Sequence, residues 1–215
     1  MPMTKKELRK ELMEKHKMEK VLCVNNAYLH NLKNPKKDDV RTLFKAIKKH
    51  GFFDYRYEAE MNDLQKQVIP YVVLSTKNSK GETIYFCTKR LAGDSRLTGQ
   101  MSIAVGGHIN PCDMITEIEY PKAIIDSCIV RELLEETTIN FEKILDKEYL
   151  KVFIDGSTEV SKVHVCLLVE IKLLDDDVTI KETDKLEGVW MTCEEIEQNF
   201  DKFESWSQIA INNLW

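Results

Sequence analysis

The first third of the chain shows helical spacing of apolar positions on a mostly polar background. Residues 4–19 carry only a thin apolar stripe, and Thr4 and Glu7 have capping-box spacing, which predicts a surface helix. The other elements predicted in this region are a strand at 20–24, an amphipathic helix at 38–49 and an aromatic, charged loop at 51–62.

From about residue 67 onward, short apolar runs alternate with turn residues, which predicts a strand-rich region. Pro70 suits the start of a strand or an edge strand, and Asn78–Gly81 suits a hairpin turn. The pattern is that of an α+β sandwich and not of regular βαβ alternation. The predicted elements are strands at 67–74, 83–88, 102–105, 151–154 and 163–172, a charged helix ending near 136, and helices at 194–200 and 207–214.

Composition indicates an ordinary globular protein of one domain, or one domain with an appendage. The chain has 215 residues, of which 43% are hydrophobic and 31% charged, and its net charge is −5. No cluster of basic residues points to a dedicated nucleic-acid surface. No apolar run approaches the roughly 20 residues that span a bilayer, and the N-terminus lacks the apolar core of a secretion signal. Six scattered cysteines indicate reduced thiols and a cytoplasmic protein.

The most informative stretch is the run Arg131–Glu136 on the charged helix. Glu132 stands three and four residues before Glu135 and Glu136, so three carboxylates share one face. Arg131 alone does not balance them, which predicts a hard divalent cation such as Mg²⁺ or Mn²⁺. A solvated charged helix face is the alternative.

Three features favour the metal site over the solvated face. The opposite side of the helix is apolar, so it packs against something. A strand delivers Gly106–Gly107 before the helix, and glycines let a backbone approach a ligand closely. Downstream, Glu187 offers another acidic group near Trp190. The apolar side comprises Ile124, Ile125, Cys128, Ile129 and Leu133.

With these residues in place, the sequence resembles the Nudix hydrolases, whose box reads G-x5-E-x7-R-E-U-x-E-E-x-G-U, with U a bulky aliphatic residue. Gly107 fits the first glycine and Ile139 the last aliphatic, while the core is matched by Arg131, Glu132, Leu133, Glu135 and Glu136. The resemblance extends from about Val68 to the C-terminus. The opening GGHINP at 106–111 is similar to a subgroup of predicted phosphoesterases.

The sequence departs from the box at several positions. The loop Asn110–Pro121 is an insertion of about ten residues beyond the box spacing, Ala123 stands where the first box glutamate belongs, and Thr138 replaces the late glycine. We expect catalysis to survive Ala123, and we expect slight strain at the helix end from Thr138.

The resemblance implies a Nudix-like α/β/α sandwich with a mixed sheet over residues 63–215, and a helical and strand extension over residues 1–62. It implies water attack on a diphosphate linked to another moiety, with a small nucleotide-like diphosphate as substrate. Glu135 and Glu136 would ligate Mg²⁺, or Mn²⁺, together with the Gly107 carbonyl. Glu132 would be a third ligand or the base, and Arg131 would orient the carboxylates.

Other site residues are expected on looser grounds. Glu187 is preferred over Glu182 and Asp184 as a further acidic catalytic group. Arg90 and Arg96 could pair with substrate phosphates, and His108 could contact substrate or only hold its loop. Arg56, Glu58 and Glu60 could border the pocket, but a position outside the site is preferred for all three.

Two other functions stay open at this point. One is a non-catalytic Nudix module that binds its ligand as a sensor, which Ala123 and Thr138 keep in play. The other is an isoprenoid diphosphate isomerase on the same scaffold, for which Cys112 in the insertion is the one hint. The N-terminal helix favours a homodimer.

Overall fold

The computed structural model describes residues 4–29, 39–91, 99–118, 120–156, 161–181, 183–184 and 186–215. Its helices are α1 (Lys5–Lys15), α2 (Asp39–His50), α3 (Arg56–Ala59), α4 (Pro121–Glu136), α5 (Cys193–Gln198) and α6 (Ser205–Leu214). Its strands are β1 (Lys20–Asn25), β2 (Gly51–Tyr55), β3 (Gln65–Lys77), β4 (Thr83–Arg90), β5 (Met101–Ser102), β6 (Val105–Gly106), β7 (Ile144–Phe153), β8 (His164–Leu173) and β9 (Leu186–Thr192). The fold class is α+β, as predicted.

The chain divides into two compact units, and several elements contribute to both. The first unit comprises Met1–Pro70, Gly107–Cys128 and Lys151–Leu167; the second comprises the remaining segments, Tyr71–Gly106, Ile129–Leu150 and Leu168–Trp215. Strand β3 and helix α4 each run from one unit into the other. The boundary expected at residue 62 stays a prediction.

In the first unit, β1 is the central strand of an antiparallel group. It pairs with β2 from Lys20↔Tyr55 to Val24↔Gly51 and with the start of β3 from Cys23↔Gln67 to Asn25↔Gln65. All of its interior residues are buried. The capping box predicted at the N-terminus of α1 is confirmed: Glu7 N–H donates to Thr4 Oγ1 at 3.3 Å, and Thr4 N–H donates to Glu7 Oε2 at 2.7 Å.

The prediction of a loop over 51–62 is wrong for most of that segment. Gly51–Tyr55 is strand β2, and Arg56–Ala59 is the short helix α3. The strand is stabilised by hydrogen bonding to β1, a partner about thirty residues away in sequence, and its own side chains are only partly buried. Local alternation of apolar and polar residues therefore carried no signal for it.

Pro70 lies inside β3, which corrects the expectation of a strand start or edge. The ladder with β1 uses residues 65–67 of β3, and the ladder with β6 uses Tyr71 and Val72. Pro70 falls between these two paired stretches, so neither ladder requires the N–H that proline lacks.

In the second unit, β4 pairs with β9 from Ile84↔Thr192 to Arg90↔Leu186 and with β5 on its other edge. The predicted hairpin turn is confirmed: Gly81 N–H donates to Asn78 O at 2.9 Å, with Gly81 at φ +80°. This positive φ suits glycine. The strand expected at 102–105 forms instead as the two short strands β5 and β6.

A buried polar network attaches the start of α6 to the strands of the second unit. The Tyr71 hydroxyl donates to Glu204 Oε1 at 2.5 Å and lies 2.7 Å from Ser207 Oγ and 2.9 Å from Ser102 Oγ. Burial, reinforced by the Glu204 carboxylate, raises the pKa of Tyr71 well above its usual value. The phenol therefore remains a neutral donor, and the network holds α6 in one position.

All six cysteines are free thiols, and four of them are buried. None of the helices in the described ranges is long and apolar enough to cross a membrane.

Candidate functional site

Helix α4 does not have the two opposite sides that its sequence predicts. Ile124, Ile125, Cys128 and Leu133 are fully buried, and Ile129 is nearly so. The C-terminal end of the helix carries the acidic turn, by which we mean Arg131, Glu132, Glu135 and Glu136. Glu132 comes three, four and seven residues after Ile129, Cys128 and Ile125 and therefore shares their face, so the apolar residues precede the acidic turn along the helix and do not lie opposite it.

Arg131 bridges two carboxylates of the acidic turn. Its Nη1 donates to Glu132 Oε1 at 2.7 Å and to Glu135 Oε2 at 3.3 Å. The Glu132 side chain is 15% exposed, whereas that of Glu135 is 58% exposed. Glu132 is therefore the more enclosed carboxylate, and Glu135 points into water while sharing the same guanidinium.

The helix end is unstrained, contrary to the expectation from Thr138. In the described part of the chain no non-glycine residue has a positive φ. Thr138 N–H donates to Thr179 O at 3.0 Å, and Thr179 N–H donates to Thr138 Oγ1 at 2.9 Å. A hydroxyl that closes the helix onto a neighbouring segment thus stands where the family has a glycine.

The same neighbouring segment caps the carbonyls of the acidic turn. Lys181 N–H donates to Glu136 O at 2.9 Å, and Lys181 Nζ donates to Leu134 O. A lysine beside helix C-terminal carbonyls is favourable for the helix dipole. These contacts fix the backbone from which Glu135 and Glu136 project.

The remaining predicted residues of the second unit are placed less centrally. Arg90 ends β4 and is exposed. Glu187 is exposed on β9 directly opposite Lys89, and Asp184 is exposed in the segment before it. Trp190 is half-buried and packs on Phe86 with ring centroids 5.3 Å apart. Arg96 and Glu182 lie outside the described residues.

Ala123, at the position of the missing box glutamate, lines a cavity of the first unit of about 470 Å³. Lys45, Lys48 and Lys122 also line it, and Lys122 pairs with Asp126 at 3.1 Å. The hollow next to Ala123 is therefore apolar and basic, with Asp126 as its acidic member.

Gly107 and His108 belong to the first unit, in the segment that follows β6. This segment is held by Cys128 Sγ, which donates to His108 O at 3.6 Å, and by Leu22 N–H, which donates to Ile109 O at 2.8 Å. His108 Nε2 lies 3.3 Å from Nε2 of His164, the first residue of β8.

Glu60 completes a group with these two histidines. One ligand atom from each of Glu60, His108 and His164 lies within 4.8 Å of the others. We call this group the histidine cluster. Sequence reasoning set Glu60 outside the site and gave no role to His164, because their separations in sequence carry no motif.

Comparison with known proteins shows which proteins the chain resembles. No protein-family model matches it. It is 34% identical to Protein YmaB of Bacillus subtilis over 165 residues, which are 74% of this chain and 76% of that protein. The structure of Tm1382, a candidate Nudix hydrolase, covers 90% of this chain and 97% of its own at 27% identity, with a TM-score of 0.72. A NUDIX hydrolase from Alicyclobacillus acidocaldarius, 8% identical with a TM-score of 0.52, covers 68% of this chain and 90% of its own and shares the fold alone.

The chain belongs to the Nudix hydrolase superfamily. The resemblance read from the R-E-L-L-E-E core and the preceding glycines is thereby confirmed, and a hydrolase acting on a diphosphate bond is supported in general terms. The GGHINP subgroup stays a prediction.

Proposed function

We propose that the protein is a metal-dependent hydrolase that cleaves the pyrophosphate bond of a nucleoside diphosphate linked to another moiety. The observation that supports this most strongly is the Arg131 guanidinium bridging Glu132 and Glu135 on one helical turn. A guanidinium placed this way orients carboxylates and limits their mutual repulsion.

The chemistry of the donor set fits Mg²⁺ or Mn²⁺. Glu132, Glu135 and Glu136 supply only carboxylate oxygens, which these hard cations prefer, and Glu135 is open to solvent. When bound, the ion neutralises charge on phosphate oxygens and makes a water more nucleophilic. Glu135 and Glu136 would hold it with the carbonyl of Gly107, and Glu132 would act as third ligand or base.

The other assignments are part of the same proposal. Arg90 and Arg96 would pair with phosphate oxygens, because a guanidinium fork matches their geometry. Glu187 would serve as a further acidic group, with Glu182 and Asp184 as alternatives. For His108 two roles stay open: it would contact substrate, or it would only hold its loop. We also propose a cytoplasmic location, which six free thiols support, and a homodimer.

The test is a panel of substrates offered to the purified chain with Mg²⁺ and separately with Mn²⁺. The panel comprises nucleoside diphosphates, dinucleoside polyphosphates, nucleotide sugars and plain nucleoside monophosphate as a negative control. We expect cleavage of at least one diphosphate, lost in the Glu136→Gln variant. No cleavage of any member with either ion would refute the hydrolase.

The second candidate is a sensor module, which Ala123 favours because it removes one carboxylate of the box. Equilibrium binding on the same panel separates the two functions. A ligand that binds wild type and Glu136→Gln alike, and stays intact with metal present, would favour the sensor.

A further inference from the structure

The two histidines of the histidine cluster are separated by the distance that a shared metal ion imposes. Zinc–nitrogen bonds are about 2.0–2.1 Å, so two nitrogens at a tetrahedral angle lie about 3.3–3.4 Å apart. The His108 and His164 Nε2 atoms are 3.3 Å apart. Glu60 offers its oxygen within 4.8 Å of both.

The cluster is partly enclosed, since His164 is buried and Glu60 and His108 are half-buried. His164 is 5% exposed, and the Glu60 side chain is 15% exposed. Burying a carboxylate beside two imidazoles costs free energy unless charge and hydrogen bonds are matched. Arg56 balances part of the Glu60 charge, and a divalent cation shared by the three groups would add to that match.

Two of the cluster residues, Glu60 and His108, are held in place by neighbouring side chains. Arg56 Nε lies 3.4 Å from Glu60 Oε1, and Arg56 Nη1 bonds Glu19 at 3.1 Å. Cys128 donates to the His108 carbonyl. Metal ligands are commonly oriented by such outer partners.

A second observation, at Gln67 of β3, points to a ligand on one face of the β1–β3 pair. Gln67 is fully buried, and neither its amide nitrogen nor its oxygen has a hydrogen-bond partner among the described residues. It stands opposite Cys23 in the β1–β3 ladder, so both side chains share one face. Cys23 packs in one buried cluster with Ala59, which brings that face close to the segment that carries Glu60.

We propose that Glu60, His108 and His164 form a binding site for one divalent transition-metal ion of the zinc class, separate from the carboxylates of the acidic turn. Two imidazoles and one carboxylate are a ligand set that zinc and ferrous iron use. Three protein ligands leave a fourth tetrahedral position for water or an anion. All three residues belong to the first unit.

The test uses the full chain in a Cys112→Ser background, which removes the one exposed thiol. The protein is stripped with a chelator and titrated with Zn²⁺ against a chromophoric competitor, and retained zinc is counted after gel filtration. We expect one equivalent, with affinity at least about 100-fold weaker in Glu60→Gln and His108→Gln. Glu60→Gln removes the negative charge and His108→Gln removes the imidazole ring, and each keeps a polar side chain. Thermal unfolding verifies that both variants are folded.

Two controls separate this site from other sources of zinc binding. His16→Gln removes a histidine that pairs with Glu19 at 3.0 Å in the same unit, and it should keep full affinity. Glu136→Gln should also retain its zinc, so failure of the proposed hydrolase leaves this result intact. The visible spectrum of bound Co²⁺ gives a readout independent of activity.

The proposal is overturned if wild type retains no zinc, or if Glu60→Gln and His108→Gln bind zinc as tightly as wild type. In either case the cluster would be a hydrogen-bonded histidine pair with Glu60 balanced by Arg56. Loss of zinc in His16→Gln equal to that in Glu60→Gln would overturn it as well.

Discussion

The acidic turn of α4 and the histidine cluster of the first unit are both sets of potential metal ligands, and they are built in opposite ways. The acidic turn draws its groups from six consecutive residues of one helix, whereas the histidine cluster joins residues 60, 108 and 164. The turn offers only carboxylates, and the cluster offers two imidazoles and one carboxylate.

Solvent exposure differs between the two regions as well. Glu135 is 58% exposed and shares Arg131 with its neighbour, while His164 is almost fully buried. An exposed carboxylate such as Glu135 suits a hydrated Mg²⁺ that exchanges with substrate, and a nitrogen-rich set that includes the buried His164 suits a transition metal. Ligand type and burial thus distinguish the two proposed metal sites.

The largest expected effect is on catalysis at the acidic turn. Glu136→Gln should lower kcat roughly 1000-fold, about 4 kcal/mol of transition-state stabilisation, because it removes a carboxylate charge from the proposed Mg²⁺ site. Steady-state assays on the substrate found in the panel measure it, with circular dichroism verifying the fold. Glu142→Gln, an exposed glutamate of the same unit, is the matched control. Activity equal to that of the control would remove Glu136 from the mechanism.

Arg131 should have a smaller effect, through the two carboxylates that it holds. Arg131→Gln should weaken Mg²⁺ activation by about 10- to 100-fold, the range typical for groups that orient ligands. The readout is the Mg²⁺ concentration at half-maximal activity together with direct Mn²⁺ binding. Arg131→Lys keeps the charge without the fork and should fall between wild type and Arg131→Gln. A change in kcat with unaltered metal affinity would contradict an orienting role.

The pH dependence of the unfolding free energy tests whether the sheet face that carries Cys23, near the histidine cluster, is shielded from water. Burial, with Asp54 and Glu60, raises the pKa of Cys23 to about 12 from an ordinary 9.0. The unfolded chain then loses this proton first, so the thiol's stabilising contribution is complete below pH 9 and declines as pH rises toward 12. Between pH 8 and pH 10 wild type should lose about 1 kcal/mol more unfolding free energy than Cys23→Ala does.

Urea unfolding at the two pH values tests this, and Cys112→Ala, at an exposed thiol, should behave as wild type. Identical pH dependence in Cys23→Ala and wild type would mean that the face near the cluster is solvated, and the contrast with the acidic turn would weaken.

The smallest effect is expected at the end of the acidic turn. Thr138→Gly restores the residue usual in the family but removes the hydroxyl that accepts from Thr179 N–H. We expect a loss of about 0.5–1.5 kcal/mol in unfolding free energy, measured by urea titration. Thr138→Ser keeps the hydroxyl and should stay close to wild type. A stabilised glycine variant would show that the threonine strains the helix end after all.

The histidine cluster and β2 show why part of the molecule was unreadable from sequence. Glu60 follows β2 and α3, a segment that the sequence predicts as a loop. That prediction missed β2 because the strand depends on its pairing with β1. His164 opens a long apolar strand and looked like an ordinary core position. No spacing rule connects residues 60, 108 and 164.

Features that depend on neighbours along the chain could be predicted without the structure. Glu132, Glu135 and Glu136 share one turn of α4 because they are three and four residues apart, and the capping box at Thr4 followed from two side chains three residues apart. The hydrogen bond from Thr179 that closes the helix at Thr138, and the meeting of Glu60, His108 and His164, could be read from the tertiary structure alone. Side chains distant in sequence meet only after strands have paired and packed, and no single segment determines the free energy of that pairing.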